Sequence, residues 1–394
     1  MKIICVSLIS FLFIFNTFAK FDTFEQWLSH HKAEYKKSYP SDFIDEVFHQ
    51  VEFDPDIIKY DRRQPEFVRS MGEYLKLYLK DDRVLRSAAK YRNLSHLLSR
   101  INKDFGVEGK YLISFWALET DLSNHTGKMD LVQSLSTLSF DGRRSSYFKR
   151  ELNELINILF NNKVIYPDSR ILGSWAGAMG STQFMPSNIN KYALDYDGDG
   201  LIDMWSNQFD FLASSANFLN QVGYQNNRPW AVSVELASDF DYELSGLHMK
   251  LPMREWVTRG VILNSDVVLT DESSSIYLPQ GVSGPKFLVL NNFFKTFRWN
   301  NSSKYALAIG VMSDLITGSA DYFHKFDLEE KTFLSFDLSK DIQRKLNQLG
   351  HDVGKVDGII GPKTFKGIQG FQKRIGLTPD GYLSEDLAQT LLNF

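Results

Sequence analysis

The sequence predicts a mainly α protein of the α+β class: a large helical body with a small β-rich insertion, and a compact three-helix domain after it. Three observations carry this. Apolar residues recur at helical spacing through most of residues 21–222. After Gly223 the texture changes, and Val232, Val234 and Leu236 alternate with Ser233 and Glu235, a strand pattern. Beyond a charged stretch without periodicity, a last unit carries three short helical patterns separated by Asp-Gly turns.

Taken in order, the chain opens with Met1-Lys2 and an apolar run over residues 3–18, followed by Ala19. This reads as a secretory signal peptide, residues 1–19, cleaved after Ala19. The run is short for a membrane span, so no stable anchor is expected after cleavage. Thr23 and Gln26 form a capping box, with Phe24, Trp27 and Leu28 on one helix face. Further helical patterns cover residues 67–79, 94–105, 147–160 and 209–222. The insertion, about residues 228–292, shows β-prone runs at 267–269, 276–278 and 287–290, punctuated by Asn264, Gly281, Gly284 and Pro285. Residues 305–315 return to a helical pattern. The helical body thus spans 20–322, a linker 323–336, and the last domain 337–394.

In that last domain Ile342, Leu346 and Leu349 share a helix face, Gly361-Pro362 opens a second helix, and Ser384 caps a third. Gly367 and Gly370 are poor helix formers inside the second. No longer internal repeat is evident.

Composition narrows the function. The 394 residues are 43% hydrophobic, with a net charge of -4, which argues against nucleic acid as a partner. Aromatics reach 14%, a surplus suited to cores and to clefts where rings stack on sugars. The single cysteine, Cys5, lies inside the leader, so the exported chain has no disulfide, thiol chemistry or cysteine-held metal.

Three constellations could carry chemistry. The first is the apolar run 112–118 ending at Glu119. On a buried helix this carboxyl meets little water, and desolvation favours the protonated acid, which can donate to a leaving group. The same residue also suits a half-buried acid paired with Arg143 or Arg144. Asp121, two residues on, points to another face of the helix. The second is the Gly-rich stretch 173–187, where Gly173, Gly177 and Gly180 permit close backbone approach and Ser174 and Gln183 supply neutral polar groups. The third starts at Asp195. Asp195, Asp197, Asp199 and Asp203 fall at positions one, three, five and nine of a calcium loop, Gly200 at six, and Leu201 at seven, where a backbone carbonyl ligates. Ser206 replaces the usual Glu at position twelve, and Asp210 is placed to close the shell.

Together with the segments 135–140, 299–302 and 305–308, and with the motif Asp61-Arg62-Arg63-Gln64-Pro65-Glu66-Phe67, these stretches resemble the MltB-type lytic transglycosylase family over residues 21–320. The segments 356–364, 371–372 and 376–381 resemble a three-helix peptidoglycan-binding module. The resemblance implies a lysozyme-like catalytic domain in the periplasm that cleaves the β-1,4 bond between N-acetylmuramic acid and N-acetylglucosamine and leaves 1,6-anhydromuramyl ends. It implies Glu119 as the one catalytic carboxylate, acid and then base. Ser174, Gln183, Asn300 and Tyr305 correspond to sugar-holding residues, and Tyr74, Arg143 and Arg144 to further contacts. Phe218 stands where the family pattern has a cleft Tyr, and Trp299 occupies another aromatic position. Calcium is expected as a structural ion, no organic cofactor is expected, and glycan strands are the expected partner. A hydrolytic muramidase and a non-catalytic wall-binding protein are the alternatives.

Overall fold

The helix Gly109–Thr120 organises the molecule, because it is apolar on every side. Tyr111, Leu112, Ile113, Phe115, Trp116, Ala117 and Leu118 are all buried, and a helix with no polar face must lie inside. The helices Asp81–Asn93, Ser95–Phe105 and Ser303–Thr317 pack around it. The computed structural model describes residues 21–62, 69–165, 170–264, 267–331 and 334–394. The leader and the Arg63–Phe67 part of the N-terminal motif lie outside the described residues, as do Phe67 and Val68 of the predicted helix 67–79.

The other helical patterns appear as Met71–Tyr78, Ser145–Asn161, Gln208–Gln221 and Ser303–Thr317. The first helix, Phe24–Tyr35, starts on the predicted capping device: Thr23 accepts from the Gln26 N–H, and Gln26 reaches back to the Asp22 N–H. Leu131–Phe140 packs against Ser145–Asn161, which in turn covers Pro186–Tyr192.

The insertion is an antiparallel five-stranded sheet. Its strands lie in the order Leu251–Pro252, Ser273–Tyr277, Phe287–Val289, Ala231–Leu236, Val261–Leu263. Val232 and Val234 face a separate core with Met253, Trp256, Ile276 and Leu288. The predicted strand at 267–269 does not form. Those residues are irregular, and the sheet recruits 251–252 and 261–263 around the helix Met253–Thr258 instead. Short runs alone do not reveal pairing partners.

The C-terminal domain has the three predicted helices, Phe336–Gln348, Pro362–Arg374 and Glu385–Asn393, around Ile342, Leu346, Ile368, Phe371 and Leu391. Its helix glycines have a packing reason. A Cβ on Gly367 would stand 2.7 Å from Val353, and one on Gly370 2.7 Å from His351.

Two features were not anticipated from the sequence, and the second corrects it. The segment expected as a linker is fastened by specific contacts. Phe326 is buried. The Gln280 amide donates to the Asp327 carbonyl at 2.8 Å, Glu330 accepts from the Gly72 N–H at 2.9 Å, and the Ser70 hydroxyl donates to the Glu330 carbonyl at 2.7 Å. The Glu330 carboxylate thus serves a backbone group, while Glu329 and Lys325 pair with Lys76 and Glu235 at the surface.

The C-terminal domain is also internally repeated. Gln343 accepts the Gly358 N–H at 2.8 Å, and Gln372 accepts the Gly381 N–H at 2.8 Å. Seven residues before each Gln stands a Phe, Phe336 or Phe365, whose ring closes over the same glycine. The spacers differ in length, 14 residues from Gln343 to Asp357 against 8 from Gln372 to Asp380. That difference hides the repeat from a fixed-period search.

Candidate active site

The helix carrying Glu119 ends abruptly. Asp121, Leu122 and Ser123 all take left-handed conformations, with φ of 52°, 61° and 73°. Such residues are strained, and surrounding contacts must hold them. The Asp121 carboxylate accepts from Arg83 Nε at 2.9 Å and Arg86 Nη2 at 2.8 Å. Burial alone would raise its pKa, but Arg86, Asn124 and Arg83 outweigh it and hold the group at about 2. Arg83 also donates to the Tyr78 carbonyl at 2.9 Å, tying this turn to the helix Met71–Tyr78. The Trp116 indole donates to Ser123 Oγ at 2.7 Å.

The turn is stitched to the Gly-rich stretch. Thr120 Oγ1 donates to the Ser181 carbonyl at 2.7 Å, and the Ser123 and Ser181 hydroxyls meet at 2.6 Å. Ser181 in turn donates its N–H to the Met204 carbonyl at 2.7 Å and its hydroxyl to the Trp205 carbonyl at 2.5 Å. Gly180, with φ 75°, permits this approach, since a Cβ there would stand 2.5 Å from the Met204 oxygen. Sequence reasoning missed Thr120, Ser123 and Ser181, because serine and threonine beside a motif carry no signal of their distant partners.

Glu119 itself is half-buried at the end of this helix. The Tyr305 hydroxyl donates to its Oε1. Burial, and next the Glu119 charge, push the Tyr305 phenol well above its ordinary pKa, so it stays a donor. Ser302 positions Tyr305 by capping its helix, accepting the Tyr305 N–H at 3.2 Å. Tyr74 and Tyr78 flank Tyr305, their rings 4.6 Å apart. Tyr78 was not singled out from the sequence.

The other candidates divide. Ser174 is half-buried and braces its own turn, its Oγ accepting from the Ala178 N–H at 3.0 Å. Gln183, left-handed at φ 50°, donates to the Thr126 and Gly180 carbonyls, both at 3.0 Å. Asn300 is exposed at the end of the helix Asn291–Asn300. Trp299 is half-buried, its ring 4.2 Å from Phe115 and 4.9 Å from Phe218.

Four expected contacts are placed differently. Phe218 is 6% exposed and packs edge-on behind Trp299, and Tyr74 is fully buried, so neither presents a surface to a sugar. Arg143 and Arg144 are not partners of Glu119. Both clamp the buried Asp61, Arg143 through Nε at 2.5 Å and Arg144 through Nη2 at 2.9 Å. Asp61 opens the motif quoted above, and its partners lie some eighty residues away.

The acidic loop brings Asp195, Asp197 and Asp210 together, with one carboxylate oxygen from each within 4.8 Å of the others. Asp210 is buried, its oxygens accepting the Tyr196 N–H at 2.8 Å and the Asp203 N–H at 2.9 Å. Burial and then the Asp197 and Asp195 charges raise its pKa against those two bonds. Asp199 and Asp203, also expected as ligands, lie outside that group, and like Asp195 they accept loop N–H groups: Asp199 from Leu201 at 2.9 Å and Asp203 from Trp205 at 2.8 Å. A hollow of about 740 Å³ lined by Leu28, Lys32, Lys36, Asp45 and Glu52 holds none of the candidate residues.

Residues 23–314 match the transglycosylase SLT domain, and residues 337–391 match the peptidoglycan binding domain. The chain belongs to the lytic murein transglycosylase family. It is 29% identical over 245 residues to the membrane-bound lytic murein transglycosylase B of Escherichia coli, a match covering 62% of this chain and 66% of that protein. Over 94% of this chain and 99% of the other it superposes on SltB3 from Pseudomonas aeruginosa in complex with NAG-anhNAM-pentapeptide, with TM-score 0.87 and 36% identity. The Escherichia coli lytic transglycosylase Slt35 in complex with calcium shares the fold, with TM-score 0.65 and 24% identity over 75% of this chain and 93% of that one. Among the described residues, no helix is long and apolar enough to cross a membrane.

Proposed function

We propose that this enzyme cleaves the β-1,4 bond between N-acetylmuramic acid and N-acetylglucosamine in peptidoglycan strands, with Glu119 as its single acid and base. The contact of Tyr305 with Glu119 carries the reading. The phenol donates to Oε1 and so orients the carboxyl that carries the transferable proton. Glu119 gives that proton to the bridging oxygen. The muramyl acetamido group assists as an internal nucleophile. The carboxylate then takes a proton from the C6 hydroxyl of the same sugar, which closes on the anomeric carbon and leaves a 1,6-anhydro end. The nucleophile is tethered, so no second reactant has to be captured. Fixed dipoles from Ser174, Gln183 and Asn300 orient the sugar, and Trp299 stacks against it. Phe218 and Tyr74 act indirectly, as the packing beneath Trp299 and Tyr305.

Hydrolysing glycosidases usually place a second carboxyl across the bond. Asp121, the nearest acid in the chain, is committed to Arg83 and Arg86. This favours ring closure over hydrolysis. Mass spectrometry of products from purified sacculi separates the two, since anhydro ends are lighter by one water. Glu119→Gln is expected to abolish release of those ends while circular dichroism stays unchanged; near-normal turnover would remove Glu119 from the mechanism.

Asp195, Asp197 and Asp210 fit a hard cation such as calcium, which their all-oxygen, like-charged set needs for neutrality. The ion would brace the loop whose far end, Met204 and Trp205, holds Ser181. EDTA is expected to lower the melting temperature by a few degrees and calcium to restore it; an unchanged melting curve removes the ion from the account. The apolar leader and the wall polymer as substrate agree on the periplasm as the workplace.

A further inference from the structure

The two repeats of the C-terminal domain are alike in structure but not in what they touch. In the second repeat, Asp380 Oδ2 accepts the Val282 N–H at 3.0 Å. Gly281, with φ 68°, lies so close that a Cβ would stand 2.8 Å from Asp380 and 3.0 Å from Tyr382. The Gln369 amide donates to the Tyr242 carbonyl at 3.0 Å, and Phe365 packs against His248. This face therefore grips a small-residue peptide backbone, the Gly281-Val282 turn of the insertion.

Among the described residues, the first repeat offers the same elements without that cover. Asp357 corresponds to Asp380, and each uses Oδ1 for the same two bonds: to its Gln amide, at 3.1 Å and 2.6 Å, and to the N–H two residues on, at 2.9 Å in both. Phe336 corresponds to Phe365, and Ile359 to Tyr382. Phe336 is 43% exposed and Ile359 41% exposed. At the place of Gln369 stands Lys340, its ammonium 4.3 Å from the Phe336 ring. An amide there serves a carbonyl; an ammonium there serves a carboxylate.

We propose that the Phe336, Lys340, Asp357 and Ile359 face binds a short peptide of small residues ending in a free carboxylate, namely the stem peptide of the wall polymer. A backbone N–H of the peptide meets Asp357 Oδ2, its small side chains lie on Phe336 and Ile359, and its terminal carboxylate meets Lys340. The naming of the stem rests on the proposed function; the peptide chemistry rests on the repeat.

The test uses the full chain, labelled at isoleucine methyl groups, titrated with a diacetyl-lysyl-D-alanyl-D-alanine peptide. The Ile359 methyl signal is expected to shift in a saturable way. Lys340→Glu, a surface change, is expected to weaken binding by about fivefold or more and to slow cleavage of intact sacculi. It should leave cleavage of peptide-free glycan strands untouched. No shift at Ile359, equal affinity in Lys340→Glu, or a self-association that the variant abolishes would each overturn the proposal. Absence of glycan cleavage by the unaltered protein would instead overturn the enzymatic reading, while the peptide titration stands on its own.

Discussion

Glu119 and the Asp-Gly turns of the C-terminal domain are held in opposite ways. The carboxylate depends on partners far away in the chain. Tyr305 is 186 residues distant, and the Thr120–Ser181 bond spans 61. Each turn depends on a glutamine close by, 15 residues away for Gly358 and 9 for Gly381. A site made of distant partners exists only when the whole body has folded. A turn clamped by its own neighbour forms within the domain and can be used twice.

That contrast sets the expected effects. Tyr305→Phe removes the distant partner with little change in volume. It should lower turnover by about 10- to 100-fold, as loss of a charge-assisted hydrogen bond does, with the melting temperature nearly kept. Unchanged kinetics would mean that Tyr305 is only packing. Gln372→Ala removes the local clamp and strands buried backbone groups, at a cost of about 2 to 3 kcal/mol to the C-terminal domain. Proteolysis of that domain should accelerate while cleavage of short soluble glycans stays constant; a matching loss of cleavage would show the two regions to be coupled.

The smallest effect is one of pH. The folded pKa of Asp121 is depressed to about 2, below the unfolded value, so its contribution is present above about pH 4 and is lost as pH falls towards 2. The amount is about 2 kcal/mol. Urea denaturation across that window should show the slope, and Arg86→Ala should flatten it. A slope that survives Arg86→Ala would assign the acid sensitivity elsewhere.

Much of the site was legible because its signals are local. An unbroken apolar helix ending in one carboxyl, glycines in a cluster, and acids in loop register are patterns over a dozen residues. The roles of Tyr74 and Phe218 were not legible, because an aromatic side chain in a cleft and one in a core carry the same apolar signal. Asp61 was visible as part of a motif, but its grip on Arg143 and Arg144 was not. The docking of the linker was not legible for a related reason: charged residues look solvent-seeking until a backbone N–H such as that of Gly72 is found to satisfy one of them.

By itself, the sequence determined the class, the helical body and the turns of the last domain, since periodicity, capping and turn chemistry act between near neighbours. Only the tertiary structure decided which distant residue donates to Glu119, which aromatics are buried, and which repeat of the C-terminal domain is covered. Those depend on contacts between residues tens to hundreds of positions apart, and no spacing along the chain encodes them.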